Sequence, residues 1–179
     1  MINNKVIYWS IFIHNQWKMH LAATSEGLCY VGSNNKGFKE LLIWAKSKLP
    51  DYVMKQDDEK CRPYADELAE YFNRKRMAFN FPVDCHGTEF QLSVWKALRN
   101  IPYGDTFSYS DIADIIQKPN SVRAVGAAIG ANPILIAIPC HRVIGKNRKL
   151  TGYRGGLEMK KQLLILEKES LNIEKITEK

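Results

Sequence analysis

Aromatic and β-branched residues crowd three short stretches near the start of the chain, Lys5 to Ile13, Trp17 to Thr24 and Gly27 to Gly32, with turn-forming residues between them at Asn15-Gln16 and Ser25-Glu26-Gly27. That composition predicts strands, and the short gaps predict a small antiparallel meander. The spacing then changes. Leu41, Leu42 and Ala45 recur at helical intervals between Gly37 and Leu49, as do Tyr64, Leu68, Tyr71 and Phe72 between Pro63 and Phe72. The polar stretch Lys55 to Lys60 reads as a connector. Pro82 and Gly87 bracket an extended segment, so a domain boundary is expected between Phe79 and Gly87.

A new helical pattern opens at Thr88, which has Gln91 three residues on and so predicts a capping box, and Val94, Trp95 and Leu98 follow on one face. Ile101-Pro102-Tyr103-Gly104 ends it. Ser108 begins a short helix carrying Ile112, Ala113 and Ile116, and Pro119-Asn120-Ser121 turns the chain into a third helix, Val122 to Ala131, stopped by Asn132-Pro133. An extended apolar run, Ile134 to Ile138, and a basic loop come next, so the whole reads as a helix-turn-helix with a wing. On the third helix Val122, Val125 and Ile129 share a face, opposite Arg123, Ala124, Ala127, Gly130 and Ala131. That second face is almost bare of side chains. It fits close approach to a DNA minor groove with one reaching arginine, or packing against another helix, better than base reading in a major groove.

Composition narrows the class. Of 179 residues, 45% are hydrophobic and 25% charged, a globular profile that excludes disorder and collagen. The apolar run Val6 to Ile13 is too short for a membrane span, and Lys5 is the only cation ahead of it, with no small-residue cleavage site behind; a cytosolic chain is expected. The net charge is +7. Residues 1–85 carry twelve basic against ten acidic residues and residues 86–170 twelve against seven, so the excess lies in the second half. Arg142, Lys146, Arg148, Lys149 and Arg154 follow one another with no acid among them, as in a loop that meets phosphates or simply a solvated one. Cys29, Cys61, Cys85 and Cys140 are widely separated, with no C-x-x-C pair. That spacing speaks against a zinc ribbon and leaves metal binding by Cys85, His86 and a remote partner as the alternative; a disulfide framework does not suit a cytosolic chain of this size.

Candidate chemistry gathers around Ile138-Pro139-Cys140-His141-Arg142. His141 supplies a base beside the Cys140 thiol, although neighbours in an extended chain point apart, so a water or a turn must close the gap. Glu167 falls in the apolar face of a helix starting at Leu157, where a carboxylate needs a partner. His141 would be oriented and made more basic by it; pairing with Lys160 or Arg142 is the competing reading.

These residues stand within a series of motifs that resembles the O6-alkylguanine-DNA alkyltransferases, the methylated-DNA–protein-cysteine methyltransferases. The series runs through Gly87-Thr88-x-Phe90-Gln91-x-x-Val94-Trp95, Ile101-Pro102-x-Gly104-x-Thr106-x-Ser108-Tyr109, Arg123-Ala124-Val125-Gly126, Asn132-Pro133, Pro139-Cys140-His141-Arg142-Val143 and Gly152-Tyr153-x-Gly155-Gly156-Leu157. The resemblance implies an α+β fold: an RNase-H-like domain over residues 1–85 with a small antiparallel sheet and helices, and a winged helix-turn-helix-like domain over 86–170. Residues 171–179 read as a solvated tail.

The resemblance also implies roles. Cys140 would accept the alkyl group from O6-alkylguanine, with O4-alkylthymine as a second lesion class, His141 would deprotonate it through a water, Glu167 would orient His141, and Asn132 would support the network. Tyr109 would rotate the nucleotide out and give the base a proton, and Arg123 would fill its place in the stack. Ala124, Gly126 and Ala127 would meet the DNA, and Pro139, Tyr153, Arg154, Gly155 and Gly156 would line the pocket. A thioether gives water no centre to attack, so one chain would repair one lesion, without metal or cofactor. The implied partner is double-stranded DNA held through its minor groove by a monomer, with no membrane involved. A lesion-binding module without transfer and a turnover cysteine hydrolase are the competing classes. Arg148 departs from the pattern, standing where many relatives place glycine; a positive φ there would strain it.

Overall fold

The computed structural model describes residues 5–177. The chain divides into two compact units, Met1–Gly87 and Thr88–Lys179.

In the first unit β1 (Val6–His14), β2 (Trp17–Ala23) and β3 (Leu28–Val31) form the expected meander, with β1–β2 and β2–β3 antiparallel. Alternation along β1 sorts its side chains onto two faces. Ile7 packs with Leu41 and Ala45 of α1 (Phe38–Lys48), and Trp9 meets Phe38 at 4.5 Å between ring centroids. Phe12 on the other face stacks on Phe72 of α2 (Asp58–Phe72) at 5.9 Å.

Two features differ from expectation. The segment read as a polar connector begins inside β4 (Val53–Gln56), which pairs parallel with β1 as an edge strand. It also contains the first turn of α2, which starts five residues before Pro63 because Asp57 caps it, accepting from Lys60 N. The boundary segment returns beside β3: Leu28 N donates to Pro82 O at 3.0 Å and Asp84 N to Leu28 O at 2.8 Å. Gly27 permits this approach, since a Cβ there would sit 2.5 Å from Pro82 O at a φ of +149°.

The second unit opens with α3 (Glu89–Leu98), where Thr88 and Gln91 complete the predicted capping box. β5 (Phe107–Ser108) leads into α4 (Tyr109–Ile115), which carries its own box from Ser108 and Asp111. A 3-10 turn over Pro119–Ser121 feeds α5 (Val122–Gly130), and Trp95 of α3 donates its indole N–H to Ala128 O at 2.8 Å. Val125, Ala128 and Ile129 are buried, while Arg123, Ala124, Ala127 and Gly130 face out; Val122 is more exposed than its phase predicts.

The run Ile134 to Ile138 is not a strand. It is a buried turn closed by Ile138 N donating to Ile134 O, with Ile136 at φ 71°. Flanking prolines and an apolar interior favour a compact turn that burial satisfies, where periodicity alone allows either. β6 (Val143–Ile144) then pairs parallel with β5, and a tight wing loop follows. α6 (Leu157–Thr177) closes the unit. Its last turns occupy 171–177 of the segment read as a solvated tail, and just before that segment Ser170 is buried and bonded to Tyr103 Oη at 3.0 Å. Glu178 and Lys179 lie outside the described residues.

Candidate active site

Cys140 begins a 3-10 turn over Cys140–Arg142, not the exit of an extended strand. The turn changes the geometry that makes adjacent side chains diverge. Asn132, just past the C-terminus of α5, braces it: Nδ2 donates to Cys140 Sγ at 3.0 Å and to Ile138 O at 2.9 Å, while Oδ1 accepts from Ile134 N at 2.9 Å. Pro139 is buried beside it.

His141 and Glu167 are both fully buried, and His141 Nε2 lies 2.6 Å from Glu167 Oε1. Arg142 engages the same carboxylate, through Nε to Oε2 at 2.9 Å and Nη2 to Oε1 at 3.0 Å, and gives Nη1 to Ile101 O. Gly104 N adds a fourth donor to Oε2 at 3.0 Å. The two pairings that the sequence set against each other, with His141 and with Arg142, therefore coexist. Lys160 takes no part in them. Burial alone would raise the Glu167 pKa, but the bonds and charges of His141 and Arg142 hold it well below the usual carboxylate range.

An ionised Glu167 at Nε2 fixes the tautomer: Nε2 carries the proton and Nδ1 keeps its lone pair. Among the described residues Nδ1 has no hydrogen-bond partner. Burial lowers the His141 pKa against the pull of Glu167, so the ring is neutral and able to accept a proton. Burial also raises the Cys140 pKa, opposed by the Asn132 hydrogen bond and the charges of Arg154 and Lys160. The resting pair is thus thiol and imidazole.

The 151–156 loop forms the next wall. Tyr153 Oη is buried without a partner among the described residues, and burial drives its pKa well above 10. The Arg154 guanidinium donates to Asn132 O at 3.0 Å and Pro133 O at 3.1 Å, tying this loop to the end of α5. A Cβ on Gly155 would fall 2.6 Å from the Tyr153 ring, whereas Gly156, at φ +89°, opens on free space. Tyr109 lies over Gly126 of α5, and its hydroxyl donates to Thr151 O and accepts from Thr151 Oγ1, both at 3.2 Å.

The sequence reading missed the setting of Lys160. It is fully buried and donates to Val143 O at 2.5 Å, Thr151 O at 2.8 Å and Gly152 O at 3.4 Å. The signal was present, since Lys160 shares the helical phase of Leu163 and Glu167. Arg148 has φ 60°, the strained value its departure from glycine anticipates. With Lys146 and Lys168 it lines an open cavity of about 620 Å³ beside Ser108 and Asp111.

Residues 89–169 match the family described as the DNA-binding domain of 6-O-methylguanine DNA methyltransferase, and residues 7–85 match its ribonuclease-like domain. The inducible methylated-DNA–protein-cysteine methyltransferase of Bacillus subtilis is 55% identical over 168 residues, 94% of each chain. The chain belongs to the methylated-DNA–protein-cysteine methyltransferases. The family member from Methanosarcina mazei is 46% identical over 79% of this chain and 90% of its own. Among solved structures of the family, that of Mycobacterium tuberculosis OGT in complex with DNA superposes with a TM-score of 0.79 at 38% identity, covering 91% of this chain and 94% of that one. The α+β architecture, with a ribonuclease-like first domain and a DNA-binding second domain, is that of the family. Its activity is alkyl transfer from methylated DNA to a protein cysteine.

Among the described residues no helix is long and apolar enough to cross a membrane, and no three His, Cys, Asp or Glu side chains are grouped to hold a metal ion.

Proposed function

We propose that Cys140 is the alkyl acceptor and that it acts once, on O6-alkylguanine flipped out of duplex DNA by a monomeric chain. The observation that carries this reading is the buried Asn132, Cys140, His141 and Glu167 set, with the one ring nitrogen of His141 that Glu167 does not occupy left as an acceptor. The Cys140 thiol loses its proton through a water to His141 Nδ1, and Glu167 steadies the imidazolium. Sulfur attacks the alkyl carbon, the carbon–O6 bond breaks, and its electron pair stays on the guanine, which takes a proton from Tyr109. The resulting thioether is a dead end for water.

Minor-groove binding is supported by the outward face of α5, where Ala124, Ala127 and Gly130 let the backbone approach and Arg123 alone reaches. Tyr109 over Gly126 stands at the edge of that face. Lys146, Arg148 and Lys149 in the wing supply phosphate contacts. All the proposed groups come from one chain, which fits a monomer, and the free thiols of Cys29, Cys61 and Cys140 fit a reducing, cytosolic compartment. Titrating the protein with an O6-methylguanine duplex tests the reading: repair stops at one lesion per chain, and a minor-groove ligand competes with binding. Continued turnover would instead favour a hydrolase.

A further inference from the structure

Three separate segments of the second unit meet around the open cavity of about 620 Å³ beside the wing. The chain entering β5 supplies Thr106, the wing supplies Lys146 and Arg148, and α6 supplies Lys168. Parallel pairing of Phe107 with Val143 and of Ser108 with Ile144 sets the first two side by side. The wing is closed by Gly145 N donating to Lys149 O at 3.0 Å and Arg148 N to Gly145 O at 2.8 Å, so its cations ride on a hydrogen-bonded turn. Lys168 follows Glu167 on α6, about 100° round the helix from that buried carboxylate, and is exposed.

The charges along this wall do not balance. Asp111 is the acid in the lining, and its Oδ2 is committed to the start of α4, accepting from Ser108 N and Ser108 Oγ, both at 2.7 Å. Ser108 Oγ is taken up by Asp111 and Ser110. Among the described residues the side chains of Thr106, Lys146, Arg148 and Lys168 have no hydrogen-bond or ion-pair partner. Three cations against one carboxylate leave positive charge uncompensated on a concave surface, which concentrates its field. A guanidinium fork, two ammonium groups and a hydroxyl can all donate at once to the oxygens of a phosphate. Ser108, on the rim, precedes Tyr109, whose ring lies over Gly126 of α5.

We propose that this cavity is a phosphate-binding site and that the phosphate it takes belongs to the backbone of the duplex lying on the α5 face. Thr106 and Lys168, which stand outside the wing, are then DNA-binding residues, and the wing cations act with them in a walled site instead of as separate solvated charges. This rests on the reading of α5 as the DNA face. A free phosphate compound offers the same oxygens, and competition between the two sources separates them.

The test uses the full chain with its lysine ε-carbons and backbone amides isotopically labelled for magnetic resonance. Inorganic pyrophosphate shifts the Lys146 and Lys168 signals along one saturable curve and leaves those of Lys46 and Lys48, exposed on α1, in place. An unmodified duplex shifts the same two lysines together with the amides of Arg123 and Ala127, and displaces the pyrophosphate. Lys168→Gln lowers the slope of log affinity against log salt for that duplex by about 0.9, whereas Lys46→Gln, which removes an equal charge from the first unit, leaves it unchanged. Thermal melting checks folding, and the wild-type titration decides by itself should the variant fail to fold. Cavity lysines that answer pyrophosphate but not the duplex assign the cavity to a free phosphate compound and overturn the DNA source. Cavity lysines that answer neither probe, or equal slopes for Lys168→Gln and Lys46→Gln, overturn the site. The reading of α5 fails separately: a duplex that moves the cavity lysines without the Arg123 and Ala127 amides contradicts that reading and supports the cavity, and the reverse pattern defeats the cavity alone.

Discussion

His141 Nε2 lies 2.6 Å from Glu167 Oε1 in a fully buried pair, and Arg142 and Gly104 N occupy the rest of the carboxylate. The imidazole is therefore oriented by a carboxylate that is itself held ionised. Because burial keeps the His141 pKa below about 6.5, the neutral base persists into mildly acid solution. Transfer should hold its rate as pH falls to that range and drop only below it, when Nδ1 is protonated. His141→Ala should slow transfer by about a hundredfold and remove this acid limb, and alkali should partly restore the rate. Single-turnover rates against pH check both effects.

Glu167→Gln leaves Arg142 buried without its counter-charge, a loss of about 3–5 kcal/mol in stability. The native pKa of Glu167 is depressed, so its contribution is complete above the unfolded carboxylate value of about 4.3 and is lost as pH falls through the native one. Denaturant unfolding should show the largest gap between wild type and variant near neutral pH, narrowing in strong acid.

Asn132→Ala removes donors to Cys140 Sγ and Ile138 O and the acceptor for Ile134 N. A buried N–H left unpaired costs about 1–3 kcal/mol. The Cys140 turn is then no longer tied to the end of α5. Stability should fall by that amount, and methyl transfer should fall by more than the unfolded fraction explains.

Arg123→Ala should weaken repair of duplex DNA far more than reaction with free O6-benzylguanine, because a side chain that replaces a flipped nucleotide has no task when the base arrives alone. Equal losses on the two substrates would make Arg123 structural. Rates on both substrates in parallel decide it.

Arg148 sits in the left-handed region at φ 60°, held by its N–H donating to Gly145 O at 2.8 Å. Arg148→Gly should relieve strain of about 1 kcal/mol and raise Tm, and Arg148→Val should lower it. The salt dependence of DNA affinity should weaken in both, since the proposed phosphate contact is removed. Melting curves and affinities at several salt concentrations test the two parts separately.

What was legible in the sequence was local. The Thr88 capping box, the helix that starts at Ser108, the β1–β3 meander and the bare face of α5 follow from spacings of a few residues, and the structure has them. β4 was not legible, because Val53–Gln56 is a short edge strand whose pairing with Val6–Trp9 is non-local. Nor was the Ile134–Ile138 turn: a continuous apolar run has no period to distinguish strand from buried turn, and Ile136 adopts a φ that β-branched residues avoid. At the site, Cys140, His141 and Glu167 stood out together, with Arg142 and Lys160 as rival partners for the carboxylate. That Arg142 and Gly104 N share Glu167 with His141, while Lys160 goes to backbone carbonyls instead, depends on how α6 docks, which no local pattern encodes.

The measurement that bears most directly on the acceptor assignment is intact-protein and peptide mass spectrometry after incubation with an O6-methylguanine oligonucleotide duplex. The account predicts a gain of one methylene per chain, located on the peptide containing Cys140. It predicts no gain for Cys140→Ala, which should remain folded and still bind DNA because the α5 face and the wing are untouched. A methyl group on Cys29, Cys61 or Cys85, or a gain in folded Cys140→Ala, would contradict it.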